Sequence, residues 1–495
     1  MFVIILVILM SALYYMNYRR SRKLIYKFAD TLQTVGELPI IGHSHWFIGG
    51  PEKVTNNIRL LLSKIDETGS TCRVWIGPTL YVVTTNLDDT QKILETCLEK
   101  DSSYRFLSSW IGNGLFVSPV DLWKSHRRLL LPVFKKNIVE KYVENFGKHG
   151  DTLVNRLESK VGQAEFDVYE YITSCMLDIV FETAVGEKMN VQFNPNTEYL
   201  NARKNLLSII SMRFFKAWLQ CDALFNLTKH SKLQNDCIRI THKFTDEVIR
   251  KKKTAFENSS QSRSDMENNE GTKDILQLLL EREMNFSNVE LREHMDSITI
   301  AGNDTTALVI AYALILLGKH QDLQEKVYEE LNSIFVDSKR RPTSEDISKM
   351  EYLERVIKET LRLYPVVPII ARMTQEDTKL STCTIPKGVG CAVCPLLIHK
   401  SKRIWGPDAD DFNPDRFLSE NCTTRHPCAY LPFSFGSRNC IGRRFGFLAM
   451  KSILSNILRS YKVTSDISKR LKIEILLFPV FGHLITLEKR IAPTT

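Results

Sequence analysis

Ten residues near the C-terminal end of this 495-residue chain carry its sharpest chemistry: Phe433-Ser434-Phe435-Gly436-Ser437-Arg438-Asn439-Cys440-Ile441-Gly442. One cysteine stands between two glycines, and the apolar run Phe445 to Met450 behind it reads as the opening of a helix. A thiolate in a tight glycine turn at a helix N-terminus is stabilised by backbone N–H groups and by the helix dipole. The same N–H groups temper the electron density that a sulfur pushes onto a metal, so ligation through that push is the chemistry the loop suggests. A buried structural cysteine beside a turn is the plainer reading. Its framing by Phe433, Gly436, Arg438 and Gly442 is too specific for that.

A second constellation interrupts the second most apolar stretch, Ile298 to Leu317, with Asn303, Asp304, Thr305 and Thr306. Ala301 and Thr305 are one turn apart and share a helix face, as do Gly302 and Thr306. Small residues there let the backbone approach a bulky planar ligand. A threonine hydroxyl bonded to the preceding turn opens the helix and leaves room for a water. The uninterrupted apolar part, Ala307 to Leu317, is too short to span a bilayer. An aspartate near a membrane midplane costs about 2.5–3.5 kcal/mol. A helix crossing the protein core is expected.

Two charged patterns need a scaffold. Glu359-Thr-Leu-Arg362 lies on an amphipathic run with Leu353, Val356, Ile357, Leu361 and Tyr364 at helical spacing, ended by Pro365 and Pro368. Glutamate and arginine three apart are neighbours on one face. Pro414-Asp415-Arg416-Phe417 follows before the cysteine loop, and Trp123 and Arg127 stand one turn apart far upstream.

Taken in order, these segments resemble the cytochromes P450 over nearly the whole chain. Phe-x-x-Gly-x-Arg-x-Cys-x-Gly is similar to that family's haem-ligand loop, and Ala-Gly-x-Asp-Thr-Thr to its oxygen-activation motif. The resemblance implies a mainly α fold with a small β region near the N-terminus. It also implies a C-terminal hairpin, for which Leu471 to Leu477 and Leu484 to Lys489 are the strands. It implies haem b with Cys440 as axial ligand and metal-binding residue, held in the loop by Phe433, Gly436 and Gly442, with Ala301 against the ring. Trp123, Arg127, Arg372 and Arg438 match positions that bind haem propionates through bidentate-capable arginines. By the same resemblance Thr305 supports the reacting dioxygen and its waters, and Asp304 relays protons. The resemblance further implies that Glu359, Arg362 and Arg416 form a buried structural triad. Pocket candidates by the same resemblance are Phe106, Leu107 and Trp110, Trp218 in a loop over the site, Ile298, Val367, Ile369, Phe478 and Val480, for each of which ordinary core packing serves equally.

The finer resemblance is to the clan of fatty-acid ω-hydroxylases and many insect enzymes, through Ser118 to Phe134, Glu359 to Pro365 and Arg438 to Arg443. Many clan members carry a glutamate where this chain has Ala301, so a non-covalent haem is expected. The activity implied is monooxygenation of a lipophilic substrate: fatty acid, hormone or xenobiotic. No nicotinamide or flavin motif is visible. Electrons are therefore expected from NADPH through NADPH-cytochrome P450 reductase, with cytochrome b5 as a candidate second donor. Basic residues at Arg128, Lys136, Arg443 and Arg444 could steer an acidic partner. A non-oxygenase haem-thiolate isomerase or dehydratase, or a membrane haem sensor, would not need Asp304 and Thr305.

The elements that must position these residues follow from the rest of the chain. Hydrophobic residues make up 43%, enough for a deep core, and the polar stretch Glu257 to Gly271 reads as one loop. The eleven cysteines form no disulfide framework. Cys391 and Cys394 alternate with Val389 and Val393 as in a buried strand. Phe2 to Met16 is apolar apart from Ser11, and Arg19, Arg20, Arg22 and Lys23 follow it. Charge behind the apolar run reads as an uncleaved anchor. Residues 1–23 are the expected membrane anchor and 24–495 the catalytic domain, on the cytosolic side of the endoplasmic reticulum. A net charge of +9 is too mild and dispersed for nucleic acid.

Overall fold

The computed structural model describes residues 2–39, 41–261, 272–282, 286–336, 340–466 and 470–490. The helices include α1 (Phe2–Ser21), α2 (Lys23–Ala29), α3 (Arg105–Ile111), α4 (Val120–Leu130), α5 (Tyr169–Ala184), α6 (Glu198–Phe215), α7 (Lys229–Gln261), α8 (Asn288–Lys319), α9 (Glu351–Leu363) and α10 (Arg443–Ser460). Strands are short: β1 (Cys72–Ile76), β2 (Thr79–Val83), β3 (Glu99–Lys100), β4 (Phe166–Asp167), β5 (Ile370–Met373), β6 (Thr378–Lys379), β7 (Thr384–Ile385), β8 (Gly390–Val393), β9 (Tyr461–Thr464), β10 (Leu471–Glu474), β11 (Leu476–Pro479) and β12 (Leu484–Lys489).

α8 is the spine. A reciprocal capping box starts it: the Glu290 N–H donates to Ser287 Oγ (3.2 Å) and the Ser287 N–H to Glu290 Oε2 (2.8 Å). Every residue from Thr306 to Gly318 is buried, as a helix apolar on all sides must be. The helix is long and apolar enough to cross a membrane, yet 78% of its most apolar window is buried in the protein. The expected core helix stands. α5, α7, α9 and α10 pack around it. α9 stops at Leu363 because Tyr364, preceding Pro365, is disfavoured in helical conformation.

The larger sheet has the order β1-β2-β8-β5-β3, with β2 and β8 parallel and the other pairs antiparallel. It places Lys100 opposite Arg372 on neighbouring strands. Cys391 and Cys394 are buried at this sheet, in agreement with core packing.

Three sequence expectations need correction. Leu471–Leu477 does not pair with Leu484–Lys489. That run folds on itself, β10 against β11, while β12 pairs with β9 and β4. Ile475 turns the chain at φ 68°, a conformation a β-branched residue rarely adopts, so nothing in the alternation announced the reversal. Glu257–Gln261 continues α7 instead of opening a loop, and 262–271 lies outside the described residues. Trp218 sits on a short helix, Ala217–Gln220, and not in an irregular loop.

At the N-terminus Leu6, Leu9, Met10, Leu13 and Met16 of α1 are all exposed. Its last turns dock on the β1–β2 turn. Tyr18 Oη and Arg22 Nη1 donate to Pro78 O at 3.1 and 2.7 Å, and Tyr26 stacks on Trp75 at 4.9 Å.

Candidate active site at the cysteine loop

The loop is built by two turns of unusual hand. Ser434 has φ 62° and Gly436 φ 74°. A Cβ on Gly436 would stand 2.7 Å from Leu94 O, so both the conformation and the space demand glycine. The Cys440 N–H donates to Phe433 O (2.9 Å) and closes the loop. Gly442 is the N-cap of α10. Desolvation pushes the Cys440 thiol pKa up, against the Gly442 N–H and the charges of Arg127 and Arg443, which favour the thiolate. Yet the side chain keeps accessible surface. Both hold if the sulfur faces an interior space, open to contact but screened from bulk water.

α8, whose neighbour α10 carries the loop at its start, presents one matching stripe. Ile298, Ala301, Gly302 and Thr305 retain accessible surface, whereas Asn303, Asp304 and everything from Thr306 to Gly318 are buried. Thr305 Oγ1 donates to Ala301 O (2.6 Å), the bond to the preceding turn that the motif suggested. Asp304 is engaged on both oxygens. Tyr169 Oη donates to Oδ1 at 3.1 Å, Asn303 Nδ2 to the same oxygen at 3.0 Å, and Arg203 Nη2 to Oδ2 at 2.5 Å. Tyr169 comes from α5 and Arg203 from α6, and sequence reading found neither. Burial, and then the Asp304 charge, holds the Tyr169 phenol pKa well above its usual value.

A cluster of cations lies beside the loop. Arg438 Nη1 donates to Leu98 O (2.6 Å) and Nη2 to Ser118 O, and its guanidinium lies 4.9 Å from the Trp123 ring centroid. Arg372 is 1% exposed on β5. Lys100 on β3 was not expected. Its ammonium lies 4.5 Å from the Tyr104 ring and 4.6 Å from that of Phe116. Burial and the charges of Arg372 and Arg438 pull its pKa well down, and burial with Arg372 lowers Arg438 to about 10. The Nε atoms of Arg372 and Arg438 are buried without a partner. Among the described residues none of the three is ion-paired with a carboxylate. Two buried arginines with orphaned Nε donors, beside the half-buried Lys100, form a receptor for a dianion. Arg127 points differently: Nη1 and Nη2 donate to Asn439 O (2.9 Å) and Oδ1 (2.8 Å), clamping α4 to the residue before Cys440.

Thiol, small-residue stripe and dianion receptor together fit haem b, a flat ring with a central metal and two carboxylates on one edge. Cys440 would hold the metal, Ala301 and Gly302 would admit the ring, and Arg372, Arg438 and Lys100 would take the propionates, with Trp123 against Arg438.

The triad forms. Arg362 Nε and Nη2 donate to Glu359 Oε2 and Oε1, each at 2.7 Å, with both side chains fully buried. Arg416 is the looser member, its Nε 3.5 Å from Glu359 Oε1 while Nη2 bonds Asp408. Of the pocket candidates, Ile298, Ile369, Phe478 and Val480 are half-buried and Val367 is exposed. Phe106, Leu107 and Trp110 are buried among Ile111, Leu206 and Ile210, so packing accounts for them.

A family profile described as Cytochrome P450 matches residues 33–484. "Cytochrome P450 4g15" of Drosophila melanogaster is 32% identical, with 97% of this chain and 95% of that protein covered. "Cytochrome P450 4V2" of Homo sapiens is 35% identical over 84% of this chain and 82% of its own length. Among solved structures, the haem domain of cytochrome P450DA superimposes with a TM-score of 0.80 at 22% identity, covering 93% of this chain and 98% of that one.

Proposed function

The chain belongs to the cytochrome P450 family, as a haem-thiolate monooxygenase of the clan that holds these relatives, and from that premise we propose how it is supplied and what it acts on. It takes electrons from an NADPH-dependent reductase and inserts one oxygen atom of dioxygen into a lipophilic substrate. The observation that carries this reading is the accessible stripe of Ile298, Ala301, Gly302 and Thr305 on a helix buried from Thr306 to Gly318, together with a Cys440 that keeps accessible surface in the loop at the start of the neighbouring α10.

Bound haem would supply the activation of dioxygen. The chain's part is to orient, desolvate and move protons. The apolar stripe excludes bulk water from the reacting side. Thr305 Oγ, bonded to Ala301 O, offers its lone pairs to a water at that face. Asp304 stands behind it as the carboxylate of the proton relay, held in place by Arg203 and Tyr169. Arg128, Lys136, Arg443 and Arg444 are all exposed, as a docking face for an acidic reductase requires. The exposed apolar residues of α1 support anchoring in a membrane, which we assign to the endoplasmic reticulum with the catalytic domain cytosolic.

The test is reconstitution with reductase: NADPH oxidation, oxygen uptake and product should rise together. Product formed without NADPH would favour an isomerase or dehydratase instead. In Thr305→Ala, oxygen uptake is expected to continue while peroxide rises several-fold at the expense of product; unchanged coupling would remove the hydroxyl from this role. Because Ala301 offers no carboxylate, haem should leave the polypeptide quantitatively on acid–organic extraction. Haem retained by the denatured chain would contradict that.

A further inference from the structure

The chain from Arg403 to Ala429, together with Leu87, lines an open cleft of about 660 Å³. Its charge is one-sided. Arg403, Arg416 and Arg425 line it with the His426 imidazole, against a single carboxylate, Asp415. That carboxylate already accepts from Arg355 Nη1 at 2.7 Å.

The three guanidinium groups are held in different ways. Arg403 Nη2 donates to Asp66 Oδ1 (2.6 Å) and Thr85 Oγ1 (2.7 Å), and Arg416 Nη2 donates to Asp408 Oδ2 (2.5 Å). Arg425 has no such counter-ion. Its Nη2 donates to Arg416 O at 2.7 Å and its Nη1 to Cys422 Sγ at 3.7 Å, and among the described residues no carboxylate pairs with it. The ring centroids of Trp405 and Phe417 lie 4.4 and 5.2 Å from its guanidinium carbon and fix its position. A cation placed by aromatic faces and bonded to neutral acceptors keeps its charge available to an anion.

Arginine forks match phosphate oxygens in pairs. A bare oxyanion would fill only a small part of the cleft, and pockets of about 300–1,000 Å³ take whole organic ligands. The rest of the wall suits an organic body: Leu87 and Ile404 are half-buried and apolar, and Trp405 lies beside them.

We propose that this cleft binds an organic phosphate of nucleotide size, its phosphates on Arg425 and Arg403 and its apolar body against Leu87 and Ile404. Arg416 ties the cleft to the charge triad, because Arg425 bonds its carbonyl and its own Nε stands 3.5 Å from Glu359. Binding therefore stabilises the fold around that triad. The proposal goes beyond the monooxygenase reading and does not depend on it: no residue that lines the cleft belongs to the cysteine loop or to the stripe on α8.

The experiment is a calorimetric titration of the purified holoenzyme with adenosine triphosphate, with adenosine and inorganic phosphate as its two halves. The triphosphate is expected to bind saturably, more tightly than either half, and to raise the thermal transition of the polypeptide. Arg425→Gln should weaken it roughly ten- to hundredfold, the effect of losing a charge-assisted hydrogen bond, and leave the thiolate–haem spectrum and turnover unmoved. Arg403→Gln, at a side chain 48% exposed, should weaken it in the same direction, and it decides the matter if Arg425→Gln does not fold. No saturable binding, an affinity that neither substitution changes, or adenosine bound as tightly as the triphosphate would overturn the proposal. Inorganic phosphate bound equally well would make the occupant an adventitious ion only. A poly-aspartate peptide that displaces the triphosphate at lower concentration would make the cleft a docking face for an acidic protein. Either of these results also overturns it.

Discussion

Cys440→Ser is expected to abolish measurable turnover while leaving the fold in place. The substitution keeps the backbone bond from residue 440 to Phe433 O and the Gly442 cap, so the loop has no reason to rearrange. What it removes is the only group in the loop that can ionise and push charge onto a metal. A serine hydroxyl is far too basic to replace a thiolate that Gly442, Arg127 and Arg443 already have to favour against desolvation. A fall of more than roughly a thousandfold, about 4 kcal/mol of barrier, is expected in product formation. The carbon monoxide complex of the reduced protein should lose its thiolate signature while the thermal transition of the polypeptide stays close to that of the parent. Product at the parental rate would show that the chemistry does not run through this sulfur.

Glu359→Ala should have the largest effect on stability. The change strands Arg362, whose side chain has no exposure, after two 2.7 Å bonds are lost, and takes from the Asn413 N–H its 3.0 Å acceptor. Breaking a buried pair from one side costs about 3–5 kcal/mol, set against net stabilities of about 5–15 kcal/mol. The carbonyls of His399, Ala409 and Asp411 still face the guanidinium but supply no charge. Denaturant midpoint and haem content should both fall sharply. Arg416→Ala should cost much less, because Arg416 stands 3.5 Å from Glu359 and its closer partner, Asp408, is half exposed. Equal losses from the two substitutions would mean that the triad acts as one unit.

What could be read in the sequence was what is local. The cysteine loop, the Glu359–Arg362 spacing and the apolar length of α8 are each set within a few residues of themselves. What escaped is set by partners far away. Tyr169 and Arg203 reach Asp304 across 135 and 101 residues, and Arg127 reaches Asn439 across 312. None of these leaves a periodic trace. Lys100 carries no local motif beside Glu99, and only strand pairing sets it opposite Arg372. The reversal at Ile475 escaped for a different reason: its residue type argues against the conformation it adopts.

The receptor described around Arg372 and Arg438 also sets an order of events during synthesis. Lys100 leaves the ribosome 340 residues before Cys440, an interval of roughly 17 to 70 s at about 5–20 residues per second. For most of that interval Lys100 lacks even its strand partner, because Arg372 follows it by 272 residues, and the loop that will hold the centre comes later still. Contacts so distant in the chain close late and slowly. Cofactor capture is therefore a closing step of folding, and a chain released before residue 440 lacks both the ligand for the metal and the buried helix α10 that packs on α8.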